Sequence, residues 1–125
     1  MIGYLKGQLL SKKPNLILLD VQGVGYEVHI PLTSFYDLPG EGSQVALKIH
    51  THVREDALIL YGFCSQREKD FFLKLISISG IGPVLASRIL AGRPYKNVDD
   101  LLRVTGIGPR LLDKICPYLV VTNAP

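Results

Sequence analysis

At 125 residues the chain holds one ordinary domain or two small ones. Hydrophobic residues make up 47% and charged residues 20%, globular proportions that exclude wholesale disorder, and no apolar run approaches the ~18 residues of a membrane span. The net charge of +3 is unevenly spread: residues 1–64 hold five Lys/Arg against six Asp/Glu, and residues 65–125 hold nine against five. That asymmetry points to two modules, the second facing a polyanion. The N-terminus lacks a basic region followed by an apolar stretch, so no secretory signal is expected. Cys64 and Cys116, with no His or Cys grouped near either, make neither a disulfide framework nor a zinc site, and the expected setting is a reducing cytoplasm.

In chain order, the first half has the grammar of strands. Leu16–Val21 is a short apolar run after the turn signal Lys13-Pro14-Asn15. Gln22-Gly23-Val24-Gly25 breaks it, and Tyr26–Ile30 alternates apolar with polar until Pro31, which cannot donate to a ladder. Leu38–Ser43 is another turn, Val45–Val53 alternates again, and Ala57–Phe63 returns as a strand after Arg54-Glu55-Asp56. About five short strands with glycine turns predict a small closed barrel of the OB type, with an open sandwich as the competing architecture.

Glu55 and Asp56 stand at a hairpin tip. Loop tips are usually polar, so a solvated turn explains them. The sharper reading is an acidic pin whose like charges repel a phosphate backbone. Two adjacent acids without a third ligand do not make a metal site. His50 and His52, two apart, share a strand face; without a third ligand they, like His29, are read as strand-surface histidines.

The second half repeats itself. Ser79–Leu90 aligns with Thr105–Cys116, and six of the twelve positions are identical, with Gly-Ile-Gly-Pro at the head of each copy. Phe71, Phe72, Leu75, Ile76 and Ile78 recur at helical spacing before the first copy. Asn97 is a fitting N-cap for a helix over 98–104 before the second. Pro83 and Pro109 suit the first position of the helices that follow, where a missing N–H costs nothing. Helix, glycine turn, helix, twice over, is the helix-hairpin-helix pattern. Its glycines remove side chains from the approach path, and the unpaired N–H groups at the start of the next helix attract an anion such as a backbone phosphate. The candidate DNA-binding residues are Gly80, Ile81, Gly82, Val84 and Arg88 in the first copy, and Gly106, Ile107, Gly108, Arg110 and Lys114 in the second. Val84 supplies no charge where Arg110 does, and Arg88 and Lys114 follow a turn later, either as auxiliary contacts or as solvated helix residues.

Met1–Gly7, Val24–Val28, Val53–Ala57 and Leu60–Phe63, in that order and followed by Gly80–Pro83, closely resemble the RuvA family, the Holliday-junction-binding subunits of a branch-migration complex. The resemblance covers roughly the first 83 residues. It implies an OB-like N-terminal domain, a domain with two helix-hairpin-helix motifs, tetramers on an open four-way junction, and a central pin formed by the acids matching Glu55 and Asp56. The stretch from Ala91 to Pro109 is instead similar to the tandem hairpins of ComEA-type DNA-uptake proteins, which implies a splice near Pro83–Arg88, as in a natural fusion, a degenerate paralogue or an engineered or recombined chimera. With the chain stopping at Pro125, no RuvB-type motor-binding domain is expected.

The expected protein is therefore β + α in two modules, an OB-like barrel over 1–64 and an all-α tandem hairpin domain over 65–125. Its expected function is sequence-independent, structure-selective binding of four-way DNA, with a homo-tetramer as the assembly. No nucleophile–base pair, metal cluster or Walker-type loop is legible, so neither catalysis nor a cofactor is expected. A ComEA-like duplex binder and a purely structural assembly module are the alternatives.

Overall fold

The computed structural model describes residues 1–78, 80–91, 101, 104 and 106–115, with Ala91, Lys114 and Ile115 as backbone only. The chain divides into two compact units, Met1–Asp70 and Phe71–Pro125. Of the expected helix over 98–104 only Leu101 and Val104 are described, and its Asn97 cap and Cys116 lie outside the described residues.

The first unit is a closed five-strand barrel in the order β1-β2-β3-β5-β4, formed by β1 (Tyr4–Lys13), β2 (Leu16–Val21), β3 (Val24–His29), β4 (Gln44–Val53) and β5 (Leu58–Phe63). The open-sandwich alternative is thereby excluded. The sequence reading missed β1 as a strand, although Leu5, Gly7 and Leu9 point inward and Tyr4, Lys6 and Gln8 outward. Alternation was present, but the inward glycine weakened it.

Closure rests on β1 serving two partners. Its first half pairs with β4 from Tyr4↔Lys48 to Gln8↔Gln44, and its second half pairs with β2 out to Lys13↔Leu16. A register shift between Leu9 and Ser11 bends the strand from one partner to the other, the usual work of a bulge at a barrel corner. The parallel pairing of β3 with β5, Val28↔Leu60 and His29↔Tyr61, completes the ring. Leu9, Ile17, Leu19, Val28, Leu47 and Ile49 fill the interior, none more than 1% exposed. Small residues stand where walls approach. A Cβ on Gly7 would run into the Asp20 carbonyl, and one on Gly62 would stand 2.6 Å from Val28 Cγ1.

A short helix, α1 (Leu32–Asp37), follows β3 and starts at Pro31 without a side-chain cap. It falls on residues the sequence reading passed over, between the Pro31 break and the Leu38 turn, because six residues are too few to show helical periodicity. Lys12 tethers it, with Nζ donating to the Leu38 carbonyl at 3.0 Å and lying 4.7 Å from the Phe35 ring centroid.

The next helix, α2 (Gln66–Ile76), begins with a Ser-x-x-Glu signature in which Ser65 Oγ accepts the Glu68 N–H at 3.2 Å. The Glu68 carboxylate turns to α1, accepting from the Thr33 and Ser34 hydroxyls at 3.3 and 3.4 Å. These bonds hold the first residues of α2 to the barrel, within the compact unit that runs to Asp70. Cys64 is a free, half-buried thiol whose Sγ donates to the Ser34 carbonyl at 3.7 Å. Burial pushes its pKa up, which keeps it a poor nucleophile. No described helix is long and apolar enough to cross a membrane.

The second unit contains the rest of α2 followed by α3 (Pro83–Ala91) and α4 (Pro109–Ile115). Phe72, Leu75, Ala86, Ile89, Leu90 and Leu101 are among its buried residues.

Candidate nucleic-acid interface

The two copies of Gly-Ile-Gly-Pro fold alike. In the first, the Ile81 N–H donates to the Ile78 carbonyl at 3.1 Å, with Gly80 at φ +94° in the third place of the turn. In the second, the Ile107 N–H donates to the Val104 carbonyl at 3.1 Å, with Gly106 at φ +101°. A positive φ at that position is what glycine supplies at no steric cost. Ile81 and Ile107, 4% and 5% exposed, plug their turns into the helical core. Their side chains therefore anchor the turns, and only their backbone is available to a ligand.

The second glycine of each copy has a different task. Gly82 and Gly108 are exposed, and a Cβ on either would meet nothing within 4 Å. Their carbonyls accept the first bonds of the helices that follow, from Ala86 at 2.9 Å and Leu112 at 3.0 Å. The N–H groups that precede those first bonds gather at an open, side-chain-free corner. Val84 and Arg110 stand exposed one residue after each proline. The apolar Val84 leaves the first corner with backbone alone, whereas the second has a guanidinium.

The copies also pack against each other reciprocally. A Cβ on Gly80 would stand 2.8 Å from Leu111 Cδ1, and one on Gly106 would stand 3.3 Å from Leu85 Cδ1. Leu85 and Leu111 are equivalent positions of the repeat, so each turn is closed over by the helix of the other. The same geometry moves Arg88. Its Nη1 lies 3.4 Å from where a Gly106 Cβ would be, so this residue of the first copy stands beside the turn of the second. Sequence reading assigned Arg88 to its own hairpin, and no local signal corrects that. The Lys114 side chain lies outside the described residues.

On the barrel, Glu55 and Asp56 sit exposed at the tip of the β4–β5 hairpin. The Arg54 N–H donates to the Ala57 carbonyl at 2.8 Å, and the last rung of the ladder below pairs Val53 with Leu58. The two carboxylates are carried on a short, closed loop at the end of two barrel strands. No group of three potential metal ligands occurs among the described residues.

The three histidines gather round Tyr61. Tyr61 lies directly opposite His29 on one side and His50 on the other. Ring centroids are 5.6 Å apart for His29–Tyr61, 6.4 Å for His52–Tyr61 and 6.3 Å for His50–His52. Burial holds the His50 pKa below its usual value, and the neighbouring His52 and Lys69 lower it further. In the unfolded chain the ring takes its proton near the ordinary 6.5, so as pH falls through that value the unfolded state gains protons first and the barrel loses stability. The expected result is a denaturation midpoint that declines between pH 7.5 and 5, with a shallower decline in His50→Gln. An equal slope in the two proteins would remove His50 from the pH response.

Fold and site together define the class: an OB-like barrel joined to a helix-hairpin-helix unit. Residues 1–62 match the family described as RuvA N terminal domain, and residues 73–120 match the family described as helix-hairpin-helix motif. A protein of Syntrophobacter fumaroxidans named Holliday junction branch migration complex subunit RuvA is 49% identical over 127 residues, covering 92% of this chain and 63% of that protein. Proteins of the same name from Thioalkalivibrio sulfidiphilus and Geobacter sp. strain M21 are 47% and 45% identical over 124 residues, again covering 92% of this chain and 62% of theirs. The chain belongs to the RuvA family along the span it covers, and that span is about 63% of the length of these relatives.

The matches also correct the expected splice. Coverage of 92% of the chain runs through Pro83–Arg88 and the second hairpin, so one family accounts for both hairpins and no seam is needed. The aligned span of 127 residues exceeds the stretch of this chain that it covers, so the relative carries residues there that this chain lacks.

Proposed function

We propose that this protein binds branched DNA, four-way junctions above linear duplex, by gripping phosphates at the two hairpin turns without reading bases. The observation that supports this most directly is the duplicated corner: positive-φ glycine, buried isoleucine, exposed glycine and helix start, built twice within one compact unit. Backbone N–H groups at a helix start and Arg/Lys side chains meet phosphates in any sequence, so affinity is salt-dependent and base-independent. Arg110 and Arg88 both serve the second corner, which makes it the stronger of the two. The acidic hairpin tip belongs to the same reading. Its carboxylates repel phosphate and disfavour duplex that passes close to the tip, leaving open junctions as the preferred partner. Selectivity of this kind calls for several copies around the crossover, so a homo-tetramer is part of the proposal. The protein acts as a binding subunit without catalysis of its own, in the reducing cytoplasm.

The test is a competition between four-way DNA and linear duplex of the same length at stated salt. Junction binding that survives a large excess of duplex is the expected result. Equal competition by the two DNAs would reduce the protein to a general duplex binder, and no binding to either would leave only a structural role.

A further inference from the structure

The barrel divides its charge between its faces in a way the hairpin proposal does not use. The outward side chains of the β1–β4 ladder are Tyr4, Lys6 and Gln8 on one strand and Gln44, Ala46 and Lys48 on the other. None is acidic. Lys48 lies directly opposite Tyr4, with its Nζ 5.3 Å from the ring centroid, and Tyr4 is 51% exposed. Lys6 is opposite Ala46, whose methyl group leaves the lysine unshadowed. Across the β1–β2 ladder Asp20 stands opposite Gln8 and accepts the Gly23 N–H at 2.7 Å, and beyond the Gln8 end of the β1–β4 ladder Glu41 accepts the Lys12 N–H at 3.2 Å.

On the β2–β3 ladder the outward side chains include Leu18, Asp20 and Glu27, with Leu18 opposite Glu27. OB barrels commonly bind oligonucleotides on the strand 2–3 face. Here that face presents acid, hydrocarbon and the His29 imidazole, and the lysines with the open aromatic ring are on the β1–β4 ladder.

We propose that the outer face of β1 and β4 is a second nucleic-acid site, specific for single strands, in which Lys6 and Lys48 meet phosphates and a base stacks on the open side of Tyr4. Two lysines alone would serve duplex or single strand alike. The exposed ring decides between them, because only an unstacked base can cover an aromatic side chain, and such stacking is tolerant of sequence. The ammonium of Lys48 against Tyr4 holds the ring in place and adds to its attraction for a polyanion. The site rests on the reading that this protein binds DNA, and it gives the protein a grip on strands released from pairing near a junction.

The experiment measures anisotropy of labelled oligo(dT) and of a four-way junction with the intact protein, with Tyr4→Ala, Tyr4→Phe and the double change Lys6→Gln, Lys48→Gln, and with the hairpin variant Gly82→Val, Gly108→Val. Tyr4→Ala is expected to weaken oligo(dT) about tenfold while junction affinity stays within about twofold, and Tyr4→Phe to restore it. The lysine pair is expected to lower both affinity and salt slope for oligo(dT). The hairpin variant is expected to lose the junction and keep oligo(dT). Undetectable oligo(dT) binding by the intact protein, or equal binding by Tyr4→Ala, overturns the site. A hairpin variant that loses both DNAs overturns it as well. Loss of junction preference in the intact protein, with Tyr4-dependent oligo(dT) binding preserved, overturns the junction proposal and leaves this one standing. Because Tyr4 and both lysines point outward, circular dichroism of each variant is expected to match that of the intact protein.

Discussion

A protein carrying Gly82→Val together with Gly108→Val is expected to keep its fold and lose DNA binding by about a hundredfold, with each single change costing about tenfold if the two corners act independently. The argument is steric. Both glycines are exposed, neither has the positive φ that valine resists, and a Cβ at either meets nothing within 4 Å. The added side chain therefore projects into the space a phosphate would occupy. Gly80 and Gly106 are poor probes by comparison. Their φ values of +94° and +101° strain any other residue, and a Cβ on Gly80 would press on Leu111 at 2.8 Å. Changes there are expected to lower the unfolding midpoint as well as binding, because each turn is closed over by the other copy's helix. Thermal unfolding alongside gel shifts separates the two cases. A folded Gly82→Val, Gly108→Val protein with undiminished affinity would take the hairpins out of the mechanism.

The double change Glu55→Gln, Asp56→Asn is expected to raise affinity for linear duplex about tenfold and for four-way DNA less, so selectivity falls. The amides keep size and hydrogen-bonding capacity, which isolates charge as the variable. Both residues are exposed on a loop closed by the Arg54–Ala57 bond at 2.8 Å, so the substitution has little packing to disturb. The effect should be larger at low salt and shrink as the Debye length contracts to ~8 Å near physiological ionic strength. Titration of the two DNAs at both salts measures it. Weaker binding by the neutral variant would mean that the carboxylates support DNA binding rather than oppose it, and an unchanged ratio would return the hairpin tip to an ordinary solvated turn.

Much of the molecule is determined locally and was legible for that reason. The Gly-Ile-Gly-Pro repeat announces two turns because positive-φ glycine and helix-starting proline act within four residues. The strands β2 to β5 announce themselves as short apolar or alternating runs between breakers such as Gln22-Gly23, where φ values of 51° and 91° make the tight hairpin turn. Glu55 and Asp56 were placed at a tip by the same kind of punctuation. The helix α1 and the strand β1 were missed because one is too short for a helical period and the other carries Gly7 on its inward face.

What only the tertiary structure decided are the relations between residues distant in sequence. Closure depends on β1 dividing itself between β2 and β4 and on β3 meeting β5 in parallel, pairings set by the summed burial of an interior that no single strand encodes. The same holds for the three histidines, which converge on Tyr61 because strand order brings β3 and β4 to either side of β5. In the helical unit, sequence determined that there are two glycine turns each leading into a helix, and packing determined that Arg88 stands beside the second. Turn chemistry is fixed by a few adjacent dihedral angles; partner choice is fixed by which surfaces exclude water together, and that is a property of the folded chain.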